Sequence, residues 1–334
     1  MDLLSKMLSL RGRWRIWLYS LVVFLAGVLP AGGYAPTFLL GVYGQEIFTE
    51  DQGEQTAVRA AGLLSWKTLL AENASLALYA SSTIDRTLLD SGWFYDYHCL
   101  SFDLLLRSAA TRFVLDGGIN GSVQGTLEGQ VPYVRPDWTV AYERIGELLL
   151  RAAYSGYYLY FPGTDDDAFF QGLRLGAAWD PSIRIRYGID LLAGWETWTE
   201  TNRDDLLGSL EARAGGLIGY FHDWSLTARA GLRLSEDVNE SNLFLGAQGD
   251  WAWSPHRQIS LETGFFILEE LYYQMDGASE LPKAVSTGVQ MRGDWTPNDR
   301  LFLVAELSAS RRFAADLDGG WWSVLSRIGL EFNF

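Results

Sequence analysis

The chain has one cysteine, Cys99, so no disulfide forms within it and none organises the fold. Histidine is nearly as scarce. His222 and His256 fall in short turns, and His98 lies in the stretch WFYDYHCLSFD beside Asp96, Cys99, Ser101 and Asp103. A Ser/His/carboxylate set needs converging side chains. On a strand, His98 and Ser101 point to opposite faces, and the face His98 shares with Asp96 carries no nucleophile. No GxSxG, HExxH, P-loop or paired-cysteine motif occurs, and no loop has the ligand order of a calcium site. Enzyme chemistry, a metal and a cofactor are therefore not expected. Basic residues are in deficit, 26 against 41 acidic ones, and a net charge of −15 leaves no basic face for nucleic acid. After residue 33 no stretch holds 18 consecutive apolar residues, which excludes helical membrane spans there.

What is present is aromatic and glycine-rich. The 334 residues are 48% hydrophobic and 14% aromatic, with 35 Gly, 14 Trp and 16 Tyr, a composition suited to strands, tight turns and interfacial rings. The amino terminus reads as a leader. Arg11, Arg13 and Arg15 precede an apolar run from Ile16 to Leu29 without Asp, Glu, Lys or Arg, followed by Ala31, Gly32 and Gly33. Fourteen residues are short for a span, which needs about 20. The order of positive, apolar and small parts predicts an export signal over 1–33, cleaved after Gly33 or alternatively Ala35. An uncleaved anchor helix is the competing reading. Cleavage removes four basic residues and one acid and takes the formal charge to −18.

The second half alternates with a period of two. Ile183, Ile185, Tyr187, Ile189, Leu191, Ala193 and Trp195 oppose Arg184, Arg186, Gly188, Asp190 and Glu196. Leu210, Ala212 and Ala214 oppose Ser209, Glu211 and Arg213; Leu226, Ala228 and Ala230 oppose Thr227, Arg229 and Arg233. The pattern recurs around Leu243–Trp253, Ile259–Ile267, Val285–Trp295 and Leu301–Ser310. Short connections (Asp180–Ser182, Phe221–Asp223, Ser254–Arg257, Thr296–Asp299) alternate with longer ones near 161–167, 199–206, 235–241, 273–284 and 312–320. Trp179, Trp224, Trp251, Trp253 and Trp295 sit beside short turns, while Trp195 and Trp322 sit at the long-loop ends. Two belts of amphipathic rings flanking Leu, Ile, Val and Ala describe a bilayer-facing wall. The first half is less regular: strands are expected near 37–47, 56–67, 74–83, 94–107, 112–119 and 123–134. A turn is expected at Pro136-Asp137, then a segment from Thr139 to Tyr160 in which 138–146 also fits helical spacing. The count is sixteen strands, or fourteen if one N-terminal pair is loop.

The last twelve residues read SVLSRIGLEFNF. Val324, Ile328, Leu330, Phe332 and Phe334 share one parity, and Ser323, Arg327, Gly329, Glu331 and Asn333 the other. A terminal alternating strand that closes on an aromatic resembles the C-terminal assembly signal of Gram-negative outer-membrane β-barrel proteins. The resemblance implies a single antiparallel up-and-down barrel over 34–334, closed by pairing of the last strand with the first. It implies Ile328, Leu330, Phe332 and Phe334 as the signal read by the barrel-assembly machinery, with periplasmic chaperones as further partners and the outer membrane as location. The charged parity then faces the lumen, because lipid rejects it. That set comprises Arg174, Arg184, Arg186, Arg213, Arg229, Arg233, Arg292 and Arg327, with Asp190, Glu196, Glu211, Asp250, Glu262, Asp294, Glu306 and Glu331. The inward Gly188, Gly231, Gly246, Gly264 and Gly288 are expected to make room in the bore. The implied function is a porin-like channel for small polar solutes. A plugged barrel that is structural or binds a partner is the alternative, and a barrel hydrolase a remote third. Ala212, Ala214 and Gly216 would admit a second copy against the outer wall.

Overall fold

A computed structural model describes residues 37–49, 53–87, 94–125, 129–164, 167–182, 184–199, 203–236, 241–272, 283–298, 300–314 and 321–333. The expected leader and Phe334 lie outside the described residues. Sixteen strands follow in chain order. They are β1 (Thr37–Thr49), β2 (Gly53–Ala71), β3 (Ala74–Thr87), β4 (Phe94–Arg107), β5 (Thr111–Gly125), β6 (Gln130–Arg144), β7 (Leu148–Leu159) and β8 (Ala168–Ser182). The second half supplies β9 (Ile185–Trp198), β10 (Arg203–Ile218), β11 (His222–Ser235), β12 (Asn242–His256), β13 (Ile259–Tyr272), β14 (Lys283–Asn298), β15 (Leu301–Ala314) and β16 (Trp321–Asn333). Each pairs antiparallel with its neighbours in sequence, and β1 pairs with β16 from Leu39↔Asn333 to Thr49↔Ser323, so the sheet closes on itself. Closure removes both sheet edges, a condition for crossing lipid with strands.

The first half departs from expectation in β5 to β7. Residues 111–125 form one strand, with no break near 120. Pro136 and Asp137 lie inside β6, and 138–144 continue it as strand rather than helix. Proline explains why the sequence reads as a turn here. Val134 and Tyr160 exchange backbone hydrogen bonds at 2.8 Å, and the β6–β7 ladder then resumes only at Asp137↔Tyr157. Pro136, with no N–H to give, falls in that gap, while the strand keeps its register with β5 at Ile119↔Pro136.

Three other prolines share one device. Trp179-Asp180-Pro181-Ser182, Trp253-Ser254-Pro255-His256 and Trp295-Thr296-Pro297-Asn298 each end a strand at a short turn. Each shifts register by one residue against the partner strand, between 179/182, 253/256 and 295/298. The bulge takes up a residue that cannot donate to the ladder, and the preceding Trp stays on the outer face.

The two faces are told apart by reach. Several charged contacts skip a strand: Arg233–Glu196 (β11 to β9, 3.1 Å), Arg186–Asp223 (β9 to β11, 2.9 Å), Arg292–Glu331 (β14 to β16, 3.4 Å) and Arg312–Glu270 (β15 to β13, 3.3 Å). Strands two apart lie nearly 10 Å from each other. Side chains converge over that distance only on the concave side, so this face lines the lumen. The other face carries Leu173, Leu191, Leu245, Val289 and Ile328, about half exposed or more, with Ile328 at 71%. An apolar wall of this extent is satisfied by a bilayer, not by water.

Candidate functional site: the lumen wall

Sixteen strands about 4.8 Å apart and tilted by about 40° close a cylinder roughly 30 Å across between backbones. Wall side chains do not fill that width. The inward face is a charged lattice built in patches. In the first, Asp190 of β9 is buried between two guanidinium groups: Arg174 Nε donates to it at 3.1 Å, and Arg213 donates to its other oxygen. Glu211 sits directly across the ladder from Asp190 and takes Arg213 Nε at 3.0 Å. Nearer the long loops, Arg233 bridges Glu196 and Asp205, Arg203 Nε lies 3.2 Å from Asp205, and Tyr157 donates to Glu196. The Arg135 guanidinium stacks 3.9 Å over the Tyr157 ring.

A second patch spans the closure seam. Tyr43 of β1 donates to Glu331 of β16 at 2.7 Å. Arg292 reaches the same carboxylate at 3.4 Å and Asp294 at 2.9 Å. Arg327 donates to Glu306 at 2.9 Å and lies 5.5 Å over the Tyr43 ring. Arg59 grips the fully buried Asp85 with two bonds, at 2.7 and 2.5 Å. The seam is thereby cross-linked by side chains from both ends of the chain.

Of the expected lumen residues, Arg174, Asp190, Glu211, Arg213, Arg233, Arg292, Asp294, Glu306, Arg327 and Glu331 fall within these two patches. Arg186 pairs with Asp223 near the short turns. Asp250 accepts from Ser225 (3.2 Å) and Gln248 (3.1 Å). Arg184 is a correction: the strand ends at the bulge after Trp179, which leaves Arg184 exposed in the β8–β9 turn and off the wall. The glycines are a second correction. Except at Gly188, whose nearest neighbours are at an ordinary 3.7 Å and beyond, they do not leave open space, because larger neighbours lie over them. Gly231 is directly opposite Phe244, and Gly288 opposite Phe266, and in each pair the ring occupies the place a Cβ would take. Gly264 is covered by Asp250 and Gln290, and Gly246 by Arg229. The rings thus lie flat on the wall instead of standing into the bore.

Arg59, Asp85, Arg112, Glu143, Arg151 and Tyr43 complete the lattice and were not expected from sequence. For Asp85 the parity was obscured because the outer face of β3 and β4 is partly polar. Arg86 pairs with Asp96 at 2.5 and 3.0 Å, and Ser82 bonds His98 at 3.0 Å, on the convex side. Trp179, Trp195, Trp253, Trp295 and Trp322 are exposed on the outer wall, with Trp224 and Trp251 sharing that face. Ile328, Leu330 and Phe332 are outward on β16. Among the described residues no group of three or more His, Cys, Asp or Glu is placed to hold a metal.

The architecture has counterparts among solved structures. The chain is similar to a loop L8 deletion mutant of OmpT, an outer membrane protein of Vibrio cholerae, with a TM-score of 0.52 at 12% identity over 90% of this chain and 99% of that one. It is similar to Pseudomonas aeruginosa OpdQ (TM-score 0.51, 8% identity, 92% and 99% covered). It is also similar to Pseudomonas aeruginosa OpdK, solved with vanillate (TM-score 0.51, 10% identity, 90% and 99% covered). At these identities the likeness is one of fold. No protein-family model and no curated protein matches the sequence.

Proposed function

We propose that the chain is a porin-like channel of the outer membrane, through which small polar solutes diffuse passively. The observation that carries this reading is the pairing of an apolar convex wall with a charged concave wall in a closed barrel of sixteen strands. Barrels of 16–18 strands leave an aqueous channel, and the flat seating of Phe244 and Phe266 on glycine keeps bulky rings out of it. The assembly machinery is the partner proposed for β16. Purified protein in a planar bilayer tests the channel: stable stepwise conductance is expected. A barrel that is folded, shown by heat-modifiable migration, but electrically silent overturns it. The Arg–carboxylate lattice would then be the scaffold of a plugged, partner-binding barrel.

A further inference from the structure

The positive charge of the lumen is largely spent within the wall. Every inward arginine of β7–β10, namely Arg151, Arg174, Arg186, Arg203 and Arg213, has a carboxylate within 4 Å. So has every inward arginine of the closure seam, Arg59, Arg292, Arg312 and Arg327. Five inward carboxylates have no such partner among the described residues. Asp103 and Asp116 face each other directly across the β4–β5 ladder. Asp137 stands beside them on β6 and accepts from Asn120 at 3.4 Å. Asp250 is held by neutral donors, and Glu262 lies diagonally next to it on β13, exposed to the bore.

Their placement matters as much as their pairing. In a closed ring of sixteen, β5 and β13 are eight strands apart, on opposite walls. Asp116 is the sixth residue of β5 from its short turn, and Gly264, the ladder partner of Asp250, is the sixth of β13. The two acidic patches therefore face each other across the bore at one height. The inward cations left over do not match them. Arg135 is stacked on Tyr157 nearer the long loops, Lys67 and Arg107 lie toward the short turns, and only Arg229 is near this level. Among the described residues these carboxylates form no group placed to hold a metal. They set the sign of the potential in a water-filled constriction, where facing like charges bounded by low-dielectric walls reinforce each other.

Resting on the channel reading, we propose that the pore prefers cations, with Asp103, Asp116 and Asp137 on one wall and Asp250 and Glu262 on the other as its selectivity determinants. The test is the reversal potential of the full mature barrel in a planar bilayer under a KCl gradient. At low salt the K⁺/Cl⁻ permeability ratio is expected well above one, falling toward one near 1 M salt, where the screening length is about 3 Å. Neutralising all five (D103N, D116N, D137N, D250N, E262Q) should lower the low-salt ratio by about twofold or more. R229Q, made alone, should raise it. These changes remove charge without breaking an ion pair, and heat-modifiable migration verifies folding of each variant. A conducting wild type with a ratio at or below one overturns the proposal. So does a ratio that the five neutralisations leave unchanged, which would assign the preference to the loops. A folded protein that never conducts overturns the channel reading itself.

Discussion

Asp190 shows what one residue does in this wall. It is buried, yet it carries two guanidinium groups from strands on either side, so its burial is compensated within the lattice. Asp85 is buried more completely and pairs with Arg59. Asp85→Ala leaves Arg59 without its counter-ion and should lower stability by about 3 kcal/mol, read from urea unfolding in lipid vesicles. Face assignment is tested one residue at a time. Leu245 is 60% exposed on the convex side, and Gln248 is inward, bonded to Asp250. Leu245→Arg should block membrane assembly, since a charge on the lipid face costs about 2–4 kcal/mol near the midplane. Gln248→Arg should assemble normally. Equal tolerance of both in a folding assay would sink the assignment. Gly231→Val tests the ring seats: its new side chain displaces Phe244 into the bore, and single-channel conductance should fall while the barrel still forms.

At the scale of elements, β16 is the strand on which closure depends. It pairs along its length with β1 on one side and β15 on the other, and its outward Ile328, Leu330 and Phe332 face lipid. Removing Phe334, or Phe332→Asp, should reduce the folded, heat-modifiable fraction in cells before any defect in transport is seen. A variant that assembles at wild-type level would dissociate this strand from the assembly signal it resembles. The Trp-x-Pro bulges on β8, β12 and β14 do a related job at the short-turn rim, where β16 also ends. Each ends a lipid-facing strand with an indole at the short-turn rim and a residue that cannot extend the ladder. β6 uses proline differently, as an interruption of one ladder inside a continuing strand. That is why a turn is the natural reading of Pro136-Asp137 and why the chain nevertheless runs straight through it.

At the scale of the whole molecule, the charges sort by face. The convex wall is mainly apolar; of its polar groups, Arg86–Asp96 and Ser82–His98 on β3 and β4 satisfy one another, and Arg311 on β15 stacks over Phe313 and Trp322. The concave wall carries most of the charge, and its arginines are largely paired with carboxylates, while the facing acidic patches are not. Raising salt should therefore change the ion preference of the conducting barrel more than its stability. Half-buried Arg–carboxylate pairs are screened less than charges exposed to a water-filled bore. Unfolding midpoints measured between low and high salt, beside reversal potentials on the same preparation, check this. A larger shift in stability than in selectivity would contradict it.

Strand identity, strand parity and the orientation of the second half were legible in the sequence because they follow from a local rule. A strand between lipid and water must alternate, and Leu191 beside Asp190 or Ala228 beside Arg229 declares its face without reference to any other strand. Register was not legible, since it is set by strands far apart in the chain. Only the closed barrel puts Tyr43 on Glu331, Arg59 on Asp85, Phe244 over Gly231, and Asp103 against Asp116. The sequence by itself determined a membrane barrel with a charged interior. The tertiary structure decided which of those charges cancel and which remain to face the bore, because pairing depends on cross-strand position and not on composition.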